Sequence, residues 1–236
     1  MESLNTLLAT DAVQSDKASA IRDALYAAIV ERRLAPGAKL VEAEVSELFN
    51  VSRTIVRASL QMLAFEGLVR LERNRGAWVS YPTPEEARQI FDARRMIEPE
   101  IAAQAAERMT DAFIGMFREH LAQEELLLAQ RGSVARRAAI KASGDYHLLI
   151  ASVAGNQVLE RFMRELVARS SLVIALYGQS GASSCARTEH QEILDALVER
   201  NGKKAAEAIL QHIAHIEEDL DYSSISNTRL KSILHM

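Results

Sequence analysis

The two prolines of Tyr81-Pro82-Thr83-Pro84 divide the chain into stretches of different patterning. Proline donates no backbone hydrogen bond and pushes the residue before it toward extended backbone, so regular structure does not run through this segment. Upstream, short periodic segments alternate with turn residues. Downstream, no strand signal appears and long stretches carry apolar residues at helical spacing. The pattern predicts a mostly α chain: a polar, loose arm at 1–16, a first domain at 17–81, a linker at 82–84, a helical domain at 85–222 and a tail at 223–236. With 236 residues, 48% of them hydrophobic, there is apolar material for two cores.

The first domain is readable element by element. Ile21, Leu25, Ala28 and Ile29 recur at helical spacing until Leu34-Ala35-Pro36-Gly37 forces a turn. Val41, Val45 and Leu48 make a second, short helix closed by Phe49-Asn50-Val51. Ser52 is a good N-cap for a third helix with Val56, Leu60 and Leu63 on one face, ended by Gly67. Leu68–Glu72 and Ala77–Tyr81 then flank Arg73-Asn74-Arg75-Gly76 as a two-stranded hairpin. Helix, turn, helix and hairpin in this order predict a winged helix-turn-helix, with the hairpin as the wing.

Beyond the prolines, Thr83 caps a long helix that starts near Pro84. Breaks at Thr110-Asp111, Gly132-Ser133, Gly155-Asn156, Gly178 to Gly181 and Asn201-Gly202 delimit six helices, roughly 84–108, 111–130, 133–153, 156–178, 185–200 and 203–221. Short connections between long helices predict an antiparallel six-helix bundle. Residues 222–236 carry a weak apolar pattern, fitting a tail or a seventh short helix.

A net charge of −4 argues at first against a polyanionic partner. The charge is unevenly placed: from Val51 to Gly76, Arg53, Arg57, Arg70, Arg73 and Arg75 face only Glu66 and Glu72. A DNA-binding surface needs a basic face and not a basic chain. In a helix-turn-helix the second helix presents its N-terminal side chains to base edges, which here assigns DNA contact to Ser52, Arg53, Thr54 and Arg57. The wing tip adds Arg75 and Gly76, suited to the minor groove or the neighbouring phosphates. No apolar run approaches the roughly 18 residues that span a bilayer, and the first 20 residues lack the pattern of a secretory leader. The lone Cys185 fits a reducing compartment and reads as an ordinary residue. The expected address is the cytoplasm, with no membrane partner.

Leu34-Ala35-Pro36-Gly37-Ala38-Lys39-Leu40, Val51-Ser52-Arg53-Thr54-Ile55-Val56-Arg57, Glu66-Gly67-Leu68-Val69 and Asn74-Arg75-Gly76-Ala77 together resemble the DNA-binding domain of GntR-type transcription regulators. The helical remainder resembles the all-helical ligand-binding (FCD) domain of the FadR-like branch, and six helices point to its VanR-like subgroup. Three positions depart from the family: Ile55 stands where proline is usual, Ala58 where glutamate is usual and Ser59 where alanine is usual. The resemblance implies a homodimer on a pseudo-palindromic double-stranded operator, with repression relieved by a ligand as the commoner logic.

Three of the six histidines form a pattern. His190 and His212 lie about equally far before and after the Asn201-Gly202 turn, so an antiparallel hairpin brings them to similar heights. His190 shares a stripe with Ile193, Leu194 and Leu197, and His212 with Ala205, Ile209 and Ile216, while His147 lies on the stripe of Ile140, Ser143, Ile150 and Ala151. Inward imidazoles need partners. Either each finds its own hydrogen bond, or the three share a divalent transition metal, zinc first and nickel or another such ion next. The resemblance favours metal, since many FadR-like regulators bind one through three histidines at matching places plus an aspartate one turn before the first. Ser143 stands at that place here, and Asp145 points to another side of the helix, so Ser143, water or an effector is left as fourth ligand. Arg94 and Glu98 resemble a family pair; Arg94 either clamps an effector carboxylate, together with Ser143, or simply pairs with Glu98.

These readings predict a regulator, not an enzyme, whose operator affinity responds to a small organic acid bound at a metal-containing pocket. Two alternatives stand beside it. A metal-dependent hydrolase lacks a placed general base and a His-Glu-x-x-His helix, and an architectural DNA-binding protein without effector leaves the inward histidines unexplained.

Overall fold

The structure, a computed structural model, describes residues 2–73, 75–130, 132–179 and 183–223, with backbone alone at 2–13 and 183–187. The chain divides into two compact units between Tyr81 and Pro82.

The first unit runs α1 (Glu2–Val30), β1 (Lys39–Leu40), α2 (Glu42–Phe49), α3 (Arg53–Phe65), β2 (Val69–Glu72) and β3 (Gly76–Val79). Ala18, Ile21, Leu25, Ala28 and Ile29 are the buried stripe of α1, and Val56, Leu60 and Leu63 that of α3. Pro36-Gly37 turns the chain as expected: Gly37 takes φ +78° and its N–H donates to the Val79 carbonyl at 3.0 Å. Asn50 ends α2 in the left-handed conformation, one of the few side chains that tolerates it. Ser52 caps α3 by accepting from the Ile55 N–H at 3.5 Å. Arg22 of α1 reaches Glu66 at the end of α3, Nε to Oε1 2.7 Å, and ties the two helices together.

Three expectations are corrected here. Backbone from Glu2 onward is helical, so the segment 1–16 expected as an arm lies largely within α1; no glycine or proline occurs before Pro36 to stop the helix from extending N-terminally. The wing is a three-stranded antiparallel sheet of order β1-β3-β2, with Leu40 opposite Ala77 and Val69 opposite Val79. Two residues of β1 are too few to show a period. Leu48, expected on the buried face of α2, is 78% exposed, because the eight-residue helix buries only Val45.

Among the described residues the second unit holds six helices: α4 (Pro84–Glu107), α5 (Asp111–Leu128), α6 (Ser133–Ala154), α7 (Gln157–Tyr177), α8 (Ser183–Val198) and α9 (Gly202–Glu218). A capping box opens α4: Thr83 Oγ1 accepts from the Glu86 N–H at 3.2 Å, and the Glu86 carboxylate accepts from the Thr83 N–H at 2.7 Å. Pro99 sits inside α4 without ending it. Its roughly 3 kcal/mol penalty is offset by packing on both sides of it, where Phe91, Ile101, Ala102 and Ala105 are fully buried. α4 packs against α6, α7, α8 and α9, and α5 closes on α6 and α8. The ends of α7 and α9 are pinned by a bridge between Gly178 and Leu220. The possible seventh helix at 222–236 lies outside the described residues except for its first two positions, and so does Asn74 of the wing tip.

Gly144 fixes how closely α6 approaches α7, since a Cβ there would sit 2.8 Å from Val167 Cγ1. Gly144→Ala forces the helices apart or twists Val167 off its rotamer, and should lower stability by about 1–3 kcal/mol. Urea denaturation measures this, and an unchanged midpoint would show that the contact relaxes without cost.

Candidate functional site

His147 of α6, His190 of α8 and His212 of α9 converge in the interior of the second unit. All three are buried, with exposures of 2%, 0% and 0%. Nε2 of His212 lies 3.2 Å from Nε2 of His147 and 3.2 Å from Nε2 of His190, and one ligand atom from each of the three fits within a mutual 4.8 Å.

Each outer nitrogen has a carboxylate. His147 Nδ1 meets Glu98 Oε2 at 2.6 Å, His190 Nδ1 meets Glu124 Oε2 at 2.8 Å, and His212 Nδ1 meets Glu189 Oε2 at 2.7 Å. A carboxylate only accepts, so these bonds hold the proton of each imidazole on Nδ1 and turn the Nε2 lone pair inward. Glu98 and Glu124 are themselves buried. Oε1 of Glu98 pairs with buried Arg94, whose Nη1 also reaches Ser170 Oγ at 3.2 Å. Oε1 of Glu189 takes His215 Nδ1 at 2.5 Å, and His215 is the exposed outer end of the network. Tyr146 stacks on the His190 ring at a centroid distance of 4.2 Å and donates its hydroxyl to the His190 carbonyl at 2.8 Å. Phe117 meets the same tyrosine edge-on. The ring of His190 is thereby fixed from its face as well as from Nδ1.

Electrostatics follow from burial. Burial pushes the His147 imidazole below its ordinary pKa against the pull of Glu98, and pushes His212 down to about 3 although Glu189 pulls it upward. Burial also opposes the charge of Glu98, yet the Arg94 guanidinium and His147 hold its carboxyl well below the usual range. With Nδ1–H given to carboxylates, the neutral imidazoles of His147 and His212 turn their Nε2 lone pairs toward one another at 3.2 Å. Such an arrangement repels itself unless a cation lies between the nitrogens. Two nitrogens each about 2.0–2.1 Å from a tetrahedral zinc ion would stand about 3.3 Å apart. The donors therefore fit a divalent transition ion in number, type and spacing. Charge fits as well: Glu98, Glu124 and Glu189 bring three carboxylates against buried Arg94 and, at the exposed end, His215, whose imidazole Glu189 holds above its ordinary pKa, so the network stays net negative.

A cavity of about 580 Å³ reaches this cluster, lined among others by Arg94, Glu124, Ser143, His147 and Ser170. Ser143 is therefore beside His147 on the cavity wall. Asp145 is elsewhere, paired with Lys141 at 2.5 Å on the outer side of α6. Arg94 is paired with Glu98, as one of the two sequence readings expected, and it also lines the cavity. Sequence reasoning missed Glu124 and Glu189 and took Glu98 only as the partner of Arg94. The available signal was a glutamate in core register: Phe117, Leu121, Glu124 and Leu128 follow the i, i+4, i+7, i+11 spacing of an inward stripe.

In the first unit Ser52, Arg53, Thr54 and Arg57 are all exposed at the start of α3. Ile55, where the family usually has proline, points the other way and is buried, and Ser59 is buried with its hydroxyl donated to the Val56 carbonyl at 2.7 Å. Arg57 is steadied by Glu42 of α2 at 2.9 Å while remaining 64% exposed. On the wing, Arg75 pairs with Glu72 at 3.3 Å, and Gly76 takes φ +112°, a conformation that disfavours any side chain. These residues form one exposed basic set on the helix and a second on the wing.

A winged helix-turn-helix with an exposed, arginine-bearing recognition helix, followed by a separate helical domain, defines the class of DNA-binding transcription regulators. Comparison with known families specifies it further. Residues 17–79 match the family described as bacterial regulatory proteins, gntR family, and residues 89–215 match the FCD domain. The chain belongs to the GntR family, with an FCD domain as its second part; this is a family of regulators and not of enzymes. It is 30% identical over 197 residues to the Uxu operon regulator of Haemophilus influenzae, covering 76% of this chain and 72% of that protein. It is 26% identical over 211 residues to the HTH-type transcriptional regulator LutR of Bacillus subtilis, covering 79% and 93%. A GntR transcriptional regulator of Rhodococcus sp. RHA1 shares the fold with TM-score 0.73 and 25% identity over 86% of this chain and 96% of that one. No described helix is long and apolar enough to cross a membrane.

Glu98→Ala would strand Arg94 and His147 in the interior without their carboxylate. Removing one partner of a buried pair typically costs about 3–5 kcal/mol, which chemical denaturation should register. A loss under about 1 kcal/mol would mean that the pair contributes little to the folded state.

Proposed function

We propose that the protein is a cytoplasmic transcription repressor whose operator affinity is set by a small organic acid, bound at a divalent transition metal, most readily zinc, held by His147, His190 and His212. The observation that carries this reading is the convergence of three Nε2 atoms whose Nδ1 atoms are each taken by a carboxylate. Core histidines without a common partner have no need to face one another. When bound, the ion supplies a Lewis-acidic centre with coordination positions left open for an acid group. The chain supplies the rest: Glu98, Glu124 and Glu189 orient the rings, Arg94 offers a guanidinium from the cavity wall, and Ser143 offers a hydroxyl one turn from His147. The six helices of this domain support placing it in the VanR-like subgroup.

On the DNA side, Ser52, Arg53 and Thr54 open the recognition helix at the major groove. Arg57, already directed by Glu42, follows one turn later, and Arg75 and Gly76 bring the wing to the neighbouring backbone. A homodimer would place two such heads on a pseudo-palindromic double-stranded operator. The acid regulates by binding two arrangements of the helical domain unequally, and the difference is the coupling energy felt at the operator.

Two experiments test this. Arg53→Ala and Arg57→Ala should each weaken operator binding by about tenfold or more and flatten the salt dependence by about one phosphate contact. Unchanged affinity and slope would remove α3 from the interface. In protein purified without a histidine tag, zinc should raise the melting temperature, and the paired change His190→Ala with His212→Ala should abolish that rise. A rise that survives the change would place the ion elsewhere.

A further inference from the structure

We infer that the acid recognised in the helical domain has a single polar end and an apolar body: an aliphatic or aromatic carboxylate, and not a polyhydroxylated acid. This rests on the proposed function, in that the polar end is taken to lie at the histidine cluster. The inference comes from how the cavity is lined away from that cluster. Leu127, Ile140, Val167, Ile174, Ile216 and Leu220 make its walls. At about 580 Å³ it has room for a small-molecule body beyond the acid group.

Apart from Arg94 and Ser143 beside His147, which are left for the acid end, the polar groups of the interior already have partners. Ser171 donates its hydroxyl to the Val167 carbonyl at 2.9 Å, and Ser170 donates to the same carbonyl at 3.1 Å while accepting from Arg94. Glu124 holds His190. Arg136 spends Nη2 on the carbonyls of Gly178 at 2.8 Å and Gln179 at 2.9 Å, which locks the end of α7. Gln130, Ser133 and Gln179 also line the cavity but are exposed, so they belong to its solvent side. Asp219 and Arg136 both line the cavity, so their charges offset each other there.

A chain of hydroxyls laid along the aliphatic walls would lose its water and find few partners, and each unpaired buried hydroxyl weakens binding. A chain of methylenes loses nothing polar and gains from every carbon buried, by about fourfold per methylene. Hexanoate and gluconate make a sharp comparison, since both are six-carbon monocarboxylates and differ in the hydroxyls.

Calorimetric titration of the full, zinc-loaded protein with hexanoate, octanoate, phenylacetate and gluconate tests the inference. Hexanoate should bind at least tenfold more tightly than gluconate, and octanoate more tightly than hexanoate by about tenfold or more, as two further buried methylenes require. Ile174→Asn should weaken octanoate binding at least fivefold while leaving zinc content unchanged. Gluconate binding as well as hexanoate, or no binding by any of the apolar acids, overturns the inference and leaves the metal reading standing. If the protein takes up no zinc, the metal reading fails, and the same ranking measured on the metal-free protein decides the preference for an apolar body independently. Should octanoate bind but ignore Ile174→Asn in a variant that melts as the parent does, the acid lies outside this cavity and the inference is wrong.

Discussion

The imidazoles of His147, His190 and His212 share one interior, and each gives its Nδ1–H to a carboxylate. The packing of the helical domain is arranged around that constraint. His147 comes from α6, His190 from α8 and His212 from α9, and their carboxylates come from α4, α5 and α8. Arg94 then links the network to Ser170 of α7. Every helix of the domain thus contributes a polar group to one buried centre. A shift of any helix by an ångström would break a charge-assisted hydrogen bond, in surroundings where such a bond is costly to lose.

A network of this kind is an expensive way to build a core, because ionic groups removed from water seldom stabilise a fold better than well-packed apolar ones. Its position beside a cavity supports the proposed function better than a purely stabilising role. Outer carboxylates on ligating histidines fix ring orientation and raise the basicity of the inner nitrogen. In the proposed function the polar centre and the aliphatic walls beyond it would divide the work of recognition, one end taking charge and the other taking shape.

Much of this was legible in the residues. The prolines at 82 and 84 marked the change of domain, Ser52 and Thr83 marked helix starts through their capping chemistry, and the six helices of the second unit lie within a few residues of their expected limits. The approach of His190 to His212 followed from their equal distance to the Asn201-Gly202 turn. Other features were hidden for physical reasons. The two-residue strand β1 has no period to detect, and the helical start of α1 has no strong apolar stripe. Glu124 and Glu189 looked like ordinary surface charges, since a glutamate in core register becomes meaningful only when its partner's position is known. Likewise the committed hydroxyls of Ser170 and Ser171 depend on helix packing that no local pattern encodes.

Zinc K-edge X-ray absorption on untagged protein tests the metal reading most directly, because it reports the ligand atoms around the ion itself. Three imidazole nitrogens at about 2.0–2.1 Å, with a further light-atom ligand from water or acid, are predicted. A spectrum dominated by carboxylate oxygens with no imidazole scattering, or no zinc bound at all, would contradict it.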